Sequence, residues 1–161
     1  MKAEITAQHT WLHQLVGEWR VEGEADCGPD QPAMKSEGSE RVRLLGDNWV
    51  LCEGSGTMGG GPALTQMTLG YDPAKGHFVG TFIGSMMNHL WIYHRGALDA
   101  GQRSLALDAE GPAFDGPPGT MAQFRDVIEV VSRDERLLHG HVQGPDGQWI
   151  RFMTTRYTRI G

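Results

Sequence analysis

The chain has 161 residues, 39% of them hydrophobic and 21% charged, which suits one folded domain, residues 1–161, with a core of its own. Its 14 Lys and Arg against 20 Asp and Glu give a formal net charge of −6, which argues against nucleic acid and anionic membrane as partners. The 23 glycines exceed what helix interiors tolerate and point instead to strands and turns.

Near the N-terminus His9, Leu12, Leu15 and Val16 share one helical face, with Thr6 or Thr10 as the cap. No other segment reads as a convincing helix. From Trp19 the apolar period changes from helical to two. Trp19, Val21, Gly23 and Ala25 alternate with Arg20, Glu22, Glu24 and Asp26, which puts Trp19 inside and the charges in water. A loop with Gly28, Pro29 and Pro32 follows over Asp26–Ser36. Strand patterns are predicted at 40–45, 49–54, 64–71, 77–83, 89–98, 105–109, 124–131, 137–142 and 149–158. Turn signals such as Gly46-Asp47, Asp99-Ala100-Gly101 and Pro145-Asp146-Gly147 separate them, and a second long loop spans Gly111–Thr120. About ten short strands with short connections predict an all-β, closed, antiparallel up-and-down β-barrel with a short N-terminal helix. Closure removes the exposed edges that an open meander would carry. A β-sandwich is the structural alternative; the helix plug and the Gly-x-Trp favour the barrel.

The two cysteines, Cys27 and Cys52, form no C-x-x-C pair, and Cys52 falls in an apolar strand. No secretory pattern opens the chain, and no apolar run approaches membrane-spanning length. These features predict a cytoplasmic protein with reduced thiols and no membrane partner.

Gly17-Glu18-Trp19 after a short helix resembles the opening of the calycins, the superfamily of lipocalins and fatty-acid-binding proteins. A longer set stands in order: Gly56–Pro62, Leu69-Gly70-Tyr71-Asp72, Gly96, Asp99, Gly101, Arg125, Gly147 and Tyr157-x-Arg159. It resembles an uncharacterised bacterial domain-of-unknown-function family, number 1579, of the calycin or lipocalin-like superfamily. The likeness runs from about Leu12 to Arg159 and departs at Thr81–Ser85, where Phe82 and Gly84 stand in place of a Trp and an Asp. The resemblance implies the barrel fold and no established activity. It also implies a floor made of Gly17 and Trp19 with an Arg from the last strand over the indole, Arg156 or Arg159.

The candidates for chemistry lie in four places. Met58–Pro62 is a glycine run without the Lys and following helix of a phosphate loop, and reads as a hairpin at the barrel mouth. His139 and His141 share a strand face, but two ligands do not make a zinc site, so no metal is expected. No histidine stands out as the single ligand by which some calycins hold haem, and no cofactor is expected. Met86–His94 is dense in soft and aromatic side chains: His89, Trp91 and Tyr93 share one face, and Leu90, Ile92 and His94 the other. Either the first face lines a ligand cavity, or one face is core and the other a dimer contact. On the last strand Arg156 and Tyr157 point opposite ways, so the Arg-x-Tyr carboxylate grip of lipid-binding relatives is not reproduced. Glu53 and Asp126 are candidate buried acids, or partners of Arg41, Arg43 or Arg125.

The leading expectation is a barrel that binds a small, hydrophobic or amphipathic molecule, with Phe82, His89, Trp91 and Tyr93 in the wall and Arg151 or His89 setting polarity. The alternatives are an enzyme using a buried carboxylate in the same cavity, and a structural homodimer without ligand. Because Met86–Tyr93 is apolar on both faces, a homodimer through that wall is predicted in either case.

Overall fold

The computed structural model describes all 161 residues. A short helix, α1 (Ala7–Leu12), runs into a single 3-10 turn at His13–Leu15. Ten strands follow: β1 (Gly17–Ala25), β2 (Met34–Leu45), β3 (Trp49–Met58), β4 (Gly61–Asp72), β5 (His77–Gly84), β6 (Trp91–Leu98), β7 (Ser104–Pro112), β8 (Met121–Ser132), β9 (Glu135–Gln143) and β10 (Trp149–Arg159). Every strand pairs antiparallel with its chain neighbours, and β10 returns to β1 with Trp19 opposite Arg159, so the sheet closes. The loop after β1 is shorter than the sequence suggests. β2 begins at Met34 because its alternation carries on through Ser36 and Gly38, small residues that conceal the period.

α1 plugs one end. Thr6 is its N-cap, and the His9 imidazole reaches back so that Nδ1 accepts the Thr6 N–H at 3.0 Å. Leu12 and Leu15 are fully buried in the barrel core, and the Trp11 indole N–H donates to the Gln102 carbonyl at 2.7 Å. Inward positions of the strands supply the rest of this end: Val50, Leu69, Phe78, Leu105, Leu107 and Ile128, each 2% exposed or less. Burial of such side chains is worth roughly 1.5–3 kcal/mol each and holds the closed end together.

Gly17 has φ 142°, a conformation that L side chains rarely adopt, and the space where a Cβ would stand is taken by the Arg159 guanidinium. This is the physical content of the Gly-x-Trp: the chain turns at Gly17 under an arginine, and two residues later Trp19 enters the core at 1% exposure. Trp19 Nε1–H donates to the Leu15 carbonyl at 2.9 Å, tying strand to plug.

Candidate functional site: a cavity above a charged floor

The floor is a stack of cations and rings. The Arg159 guanidinium lies 4.3 Å from the Trp19 ring centre. It donates to the main-chain carbonyls of Val16 at 2.6 Å, Gln14 at 2.9 Å and Arg133 at 3.0 Å. On the other side Arg136 sits 4.8 Å from Trp19 and 3.8 Å from the Tyr157 ring. Arg136 is ion-paired with Glu40, and both side chains are nearly buried. Its Nε has no hydrogen-bond partner. Glu40 and neighbouring Tyr157 favour the charged form of Arg136 and offset its desolvation. Arg156, the other expected partner of the indole, is on the outer wall, 3.9 Å from Glu135. Strand alternation puts it opposite in phase to Tyr157 and Arg159, so it cannot reach Trp19. The second cation is Arg136, at the start of β9; alternation through Arg136, Leu138 and Gly140 marks it as inward-facing.

Above this floor the bore opens into a cavity of about 510 Å³. The space exists because small residues occupy inward positions of neighbouring strands: Gly38 on β2, Gly54 and Gly56 on β3, Ala63 on β4. The first and third of these are also demanded by backbone approach. A Cβ on Gly38 would lie 2.7 Å from the Gly56 Cα and closer still to the Ser55 carbonyl. The opposite wall is aromatic, with Phe82, Trp91, Phe124 and Phe152. Trp91 packs edge-on to Phe124 with ring centres 5.0 Å apart, and lies where a side chain on Gly111 would stand. Met34, Met58, Met86, Met87 and Phe114 surround the mouth. Methionines there give an apolar rim that adapts to shape.

The polar groups of the cavity converge at mid-barrel. Asp126, inward on β8, accepts the Tyr93 hydroxyl on Oδ2 at 2.6 Å. Asp126 is half-buried, and it lines the cavity. Burial pushes its carboxyl up to about 6, and the Tyr93 hydrogen bond pulls weakly the other way. The Tyr93 and Tyr157 phenols are both raised, first by burial and then by the nearby carboxylates. Cys52, buried beside Glu40, has its thiol raised by the same causes, which leaves it an unreactive core side chain. Tyr157 and Thr155, from β10, bring two hydroxyls to the same cavity. The arrangement can hold an apolar body against rings and thioethers and meet one polar group at its base.

Of the side chains expected to hold a ligand, Phe82, His89 and Trp91 line the cavity. His89 precedes β6; its Nε2 lies 3.0 Å from the Glu110 carbonyl, and its ring packs edge-on to Trp91 at 4.7 Å. Tyr93 lies one layer deeper and acts through Asp126. Arg151 is on the outer wall, exposed, 3.5 Å from His139. A bulge between Arg151 and Met153 breaks the register with β9, so Arg151 loses the inward phase that Met153, Thr155 and Tyr157 keep. Of the two candidate acids, Glu53 is outside and paired with Arg43 at 3.1 Å, while Asp126 is inside. Glu40 and Met153 complete the cavity without having been singled out in the sequence, and Tyr157, marked there only for its motif and its phase against Arg156, lines it as well. A separate polar recess of about 410 Å³ lies beneath the plug, beside Arg133, Arg136 and Arg159. Its main cation, Arg159, is already spent on carbonyls.

The model of the family described as "Protein of unknown function (DUF1579)" matches residues 4–159. No curated protein matches the sequence. Among solved structures, the crystal structure of Rv2717c from M. tuberculosis is similar, with TM-score 0.64 at 12% identity over 98% of this chain and 100% of that one. EF1p2_mFAP2b bound to DFHBI gives TM-score 0.51 at 13% identity, covering 96% of this chain and 100% of the other. The redesigned β-barrel mFAP0, also bound to DFHBI, gives 0.51 at 13%, covering 91% and 99%. At such identities the likeness carries the fold alone.

Proposed function

We propose that this chain, which belongs to the DUF1579 family, is a calycin-like barrel that binds a small, mainly apolar molecule in its upper half. The observation that carries the reading is the cavity itself: about 510 Å³, within the size range of small-molecule sites, walled by aromatic and methionine side chains. Apolar surface of this kind gains roughly 25 cal/mol for each Å² removed from water. That EF1p2_mFAP2b and mFAP0, barrels of similar fold, are bound to DFHBI supports the architecture as one able to enclose a small ring system. Phe82, His89 and Trp91 form the contact wall, and Arg151 has no part in it. Two finer readings go with this one. The exposed outer side chains Leu64, Ile83 and Ile92 on adjoining strands support a homodimer through that wall. Two free thiols support a reducing, cytoplasmic location.

Native mass spectrometry of the protein purified from its own host tests the proposal. A co-purifying molecule of modest mass, lost on unfolding, is the expected result. A protein that carries nothing, and takes up no apolar probe when one is offered, contradicts it.

A second reading is favoured by one specific observation. Asp126, held near neutrality in a ligand-sized cavity, is poised as a general acid or base. Turnover by the wild type that disappears in Asp126→Asn would identify the cavity as an active site.

A further inference from the structure

The charges around the cavity say which polar group it receives. No Lys or Arg side chain lines it. Two carboxylates face the interior, Asp126 from β8 and Glu40 from β2. Arg136, the nearest cation, stays in the floor, covered by the Tyr157 ring and consumed by its pair with Glu40. The pair cancels, which leaves Asp126 as the uncompensated charge of the mid-barrel cluster. Its Oδ2 takes the Tyr93 hydroxyl, and Oδ1 receives no hydrogen bond from the chain. The Tyr157 hydroxyl, on the same side of the cavity, is likewise free of protein partners. An incoming molecule meets Asp126 Oδ1, an acceptor to which the chain donates nothing, and beside it the Tyr157 hydroxyl, which can accept from or donate to the same group.

Resting on the reading of the cavity as a small-molecule site, we propose that its ligand is an apolar molecule whose one polar end is a hydrogen-bond donor, a neutral hydroxyl or a cationic amine, seated on Asp126 and Tyr157. Carboxylates and phosphates are turned away. A carboxylate placed there would face Asp126 across a low-dielectric space with no cation to offset it, and like charges so placed repel strongly. A donor gains a charge-assisted hydrogen bond to an oxygen that the chain itself leaves free. The groups around Asp126 do not reverse this sign. They are Tyr93 on β6, Tyr157 on β10, the Glu40–Arg136 pair on β2 and β9, and Cys52 on β3, while β7 presents only Leu107 and Ala109; the imidazole of the cavity wall, His89, has its Nε2 turned to the Glu110 carbonyl at 3.0 Å.

Four probes of one ring system separate the possibilities: 1-naphthylmethylamine, 1-naphthylmethanol, 1-naphthoate and 1-methylnaphthalene, each titrated calorimetrically into the intact protein. At pH 7.5 the amine is expected to bind about tenfold or more tighter than the naphthoate, with the alcohol between them. The amine and the naphthoate both keep their charge between about pH 5 and pH 8. Raising the pH through the Asp126 transition therefore tightens the amine and weakens the naphthoate. In Asp126→Asn the amine should lose its advantage over the alcohol. If 1-methylnaphthalene binds and the naphthoate binds as tightly as the amine, the head-group assignment is wrong and the cavity reading stands. If the amine preference survives in Asp126→Asn, Asp126 is not its seat. If none of the four binds, both readings fall together.

Discussion

At the closed end of the barrel, Trp19, Phe78, Leu105 and Leu107 fill the bore at 2% exposure or less. At the open end, the same inward phase of neighbouring strands is occupied by Gly38, Gly54, Gly56 and Ala63. One sheet thus carries two interiors. The floor is made of buried side chains, and its charged groups are neutralised within it: Arg136 by Glu40, and Arg159 by three carbonyls and Asp134 at 3.5 Å. The upper half leaves volume unfilled and a carboxylate with an oxygen to spare. A barrel of this kind keeps its packed side chains and its open volume at separate ends of its axis. Helix, indole and guanidinium hold the closed end shut, and small residues reserve space above them.

The largest expected effect comes from breaking the floor. Trp19→Ala removes a fully buried indole, its hydrogen bond to Leu15 and the surface on which two guanidinium groups stack. It should cost on the order of 3–5 kcal/mol in urea denaturation, enough to unfold a marginal domain. A loss below about 1 kcal/mol would mean that the floor does not carry the fold.

A smaller effect, of opposite sign, is expected in the upper half. The Asp126 carboxyl titrates at about 6 in the folded protein, above the unfolded value near 4. The folded state therefore holds this proton more tightly than the unfolded one. The cost of ionising Asp126 in the barrel is absent below about pH 4, grows as pH rises, and is complete above about pH 6. Asp126→Asn removes that cost while keeping an acceptor for Tyr93. The variant should be more stable than the wild type by about 1–3 kcal/mol at pH 8, with the difference vanishing near pH 4. Denaturation curves at the two pH values read this directly. A variant less stable than the wild type at pH 8 would show that the ionised carboxylate is worth more to the fold than its burial costs.

The smallest effect marks the outer wall. Arg43 and Glu53 pair at 3.1 Å with half of each side chain in water, so Arg43→Ala should change stability by about 0.5 kcal/mol or less in the same assay. A larger loss would move part of the stability out of the bore.

The closed end was the more legible of the two in the sequence. Trp19 stands at the head of an unbroken alternation, and a short helical segment ahead of it has one face to bury, so plug, turn and floor follow from periodicity. Arg136 escaped because it stands just ahead of the predicted strand at 137–142, where a charge reads as loop. Arg151 was misplaced because a bulge shifts the phase by one residue, and nothing in the alternation around Phe152 announces it. The cavity was legible only in part. Trp91 and Phe82 are large and apolar and therefore visible, whereas the space they face is made by glycines, which also mark turns. Glu53 and Asp126 looked alike as strand carboxylates. Only their phase relative to Cys52 and Ile128, both inward, tells that one is outside and the other is in the cavity.

The division of the bore into a packed floor and an open chamber is tested most directly by methyl NMR during titration with 1-methylnaphthalene, which has no head group to bias its position. The predicted result is a saturable shift of the methyl signals of Met67 and Met153, which line the cavity, with those of Leu12 and Leu15 in the plug unmoved. Shifts spread equally over plug and chamber, or no saturable shift in either, would contradict it.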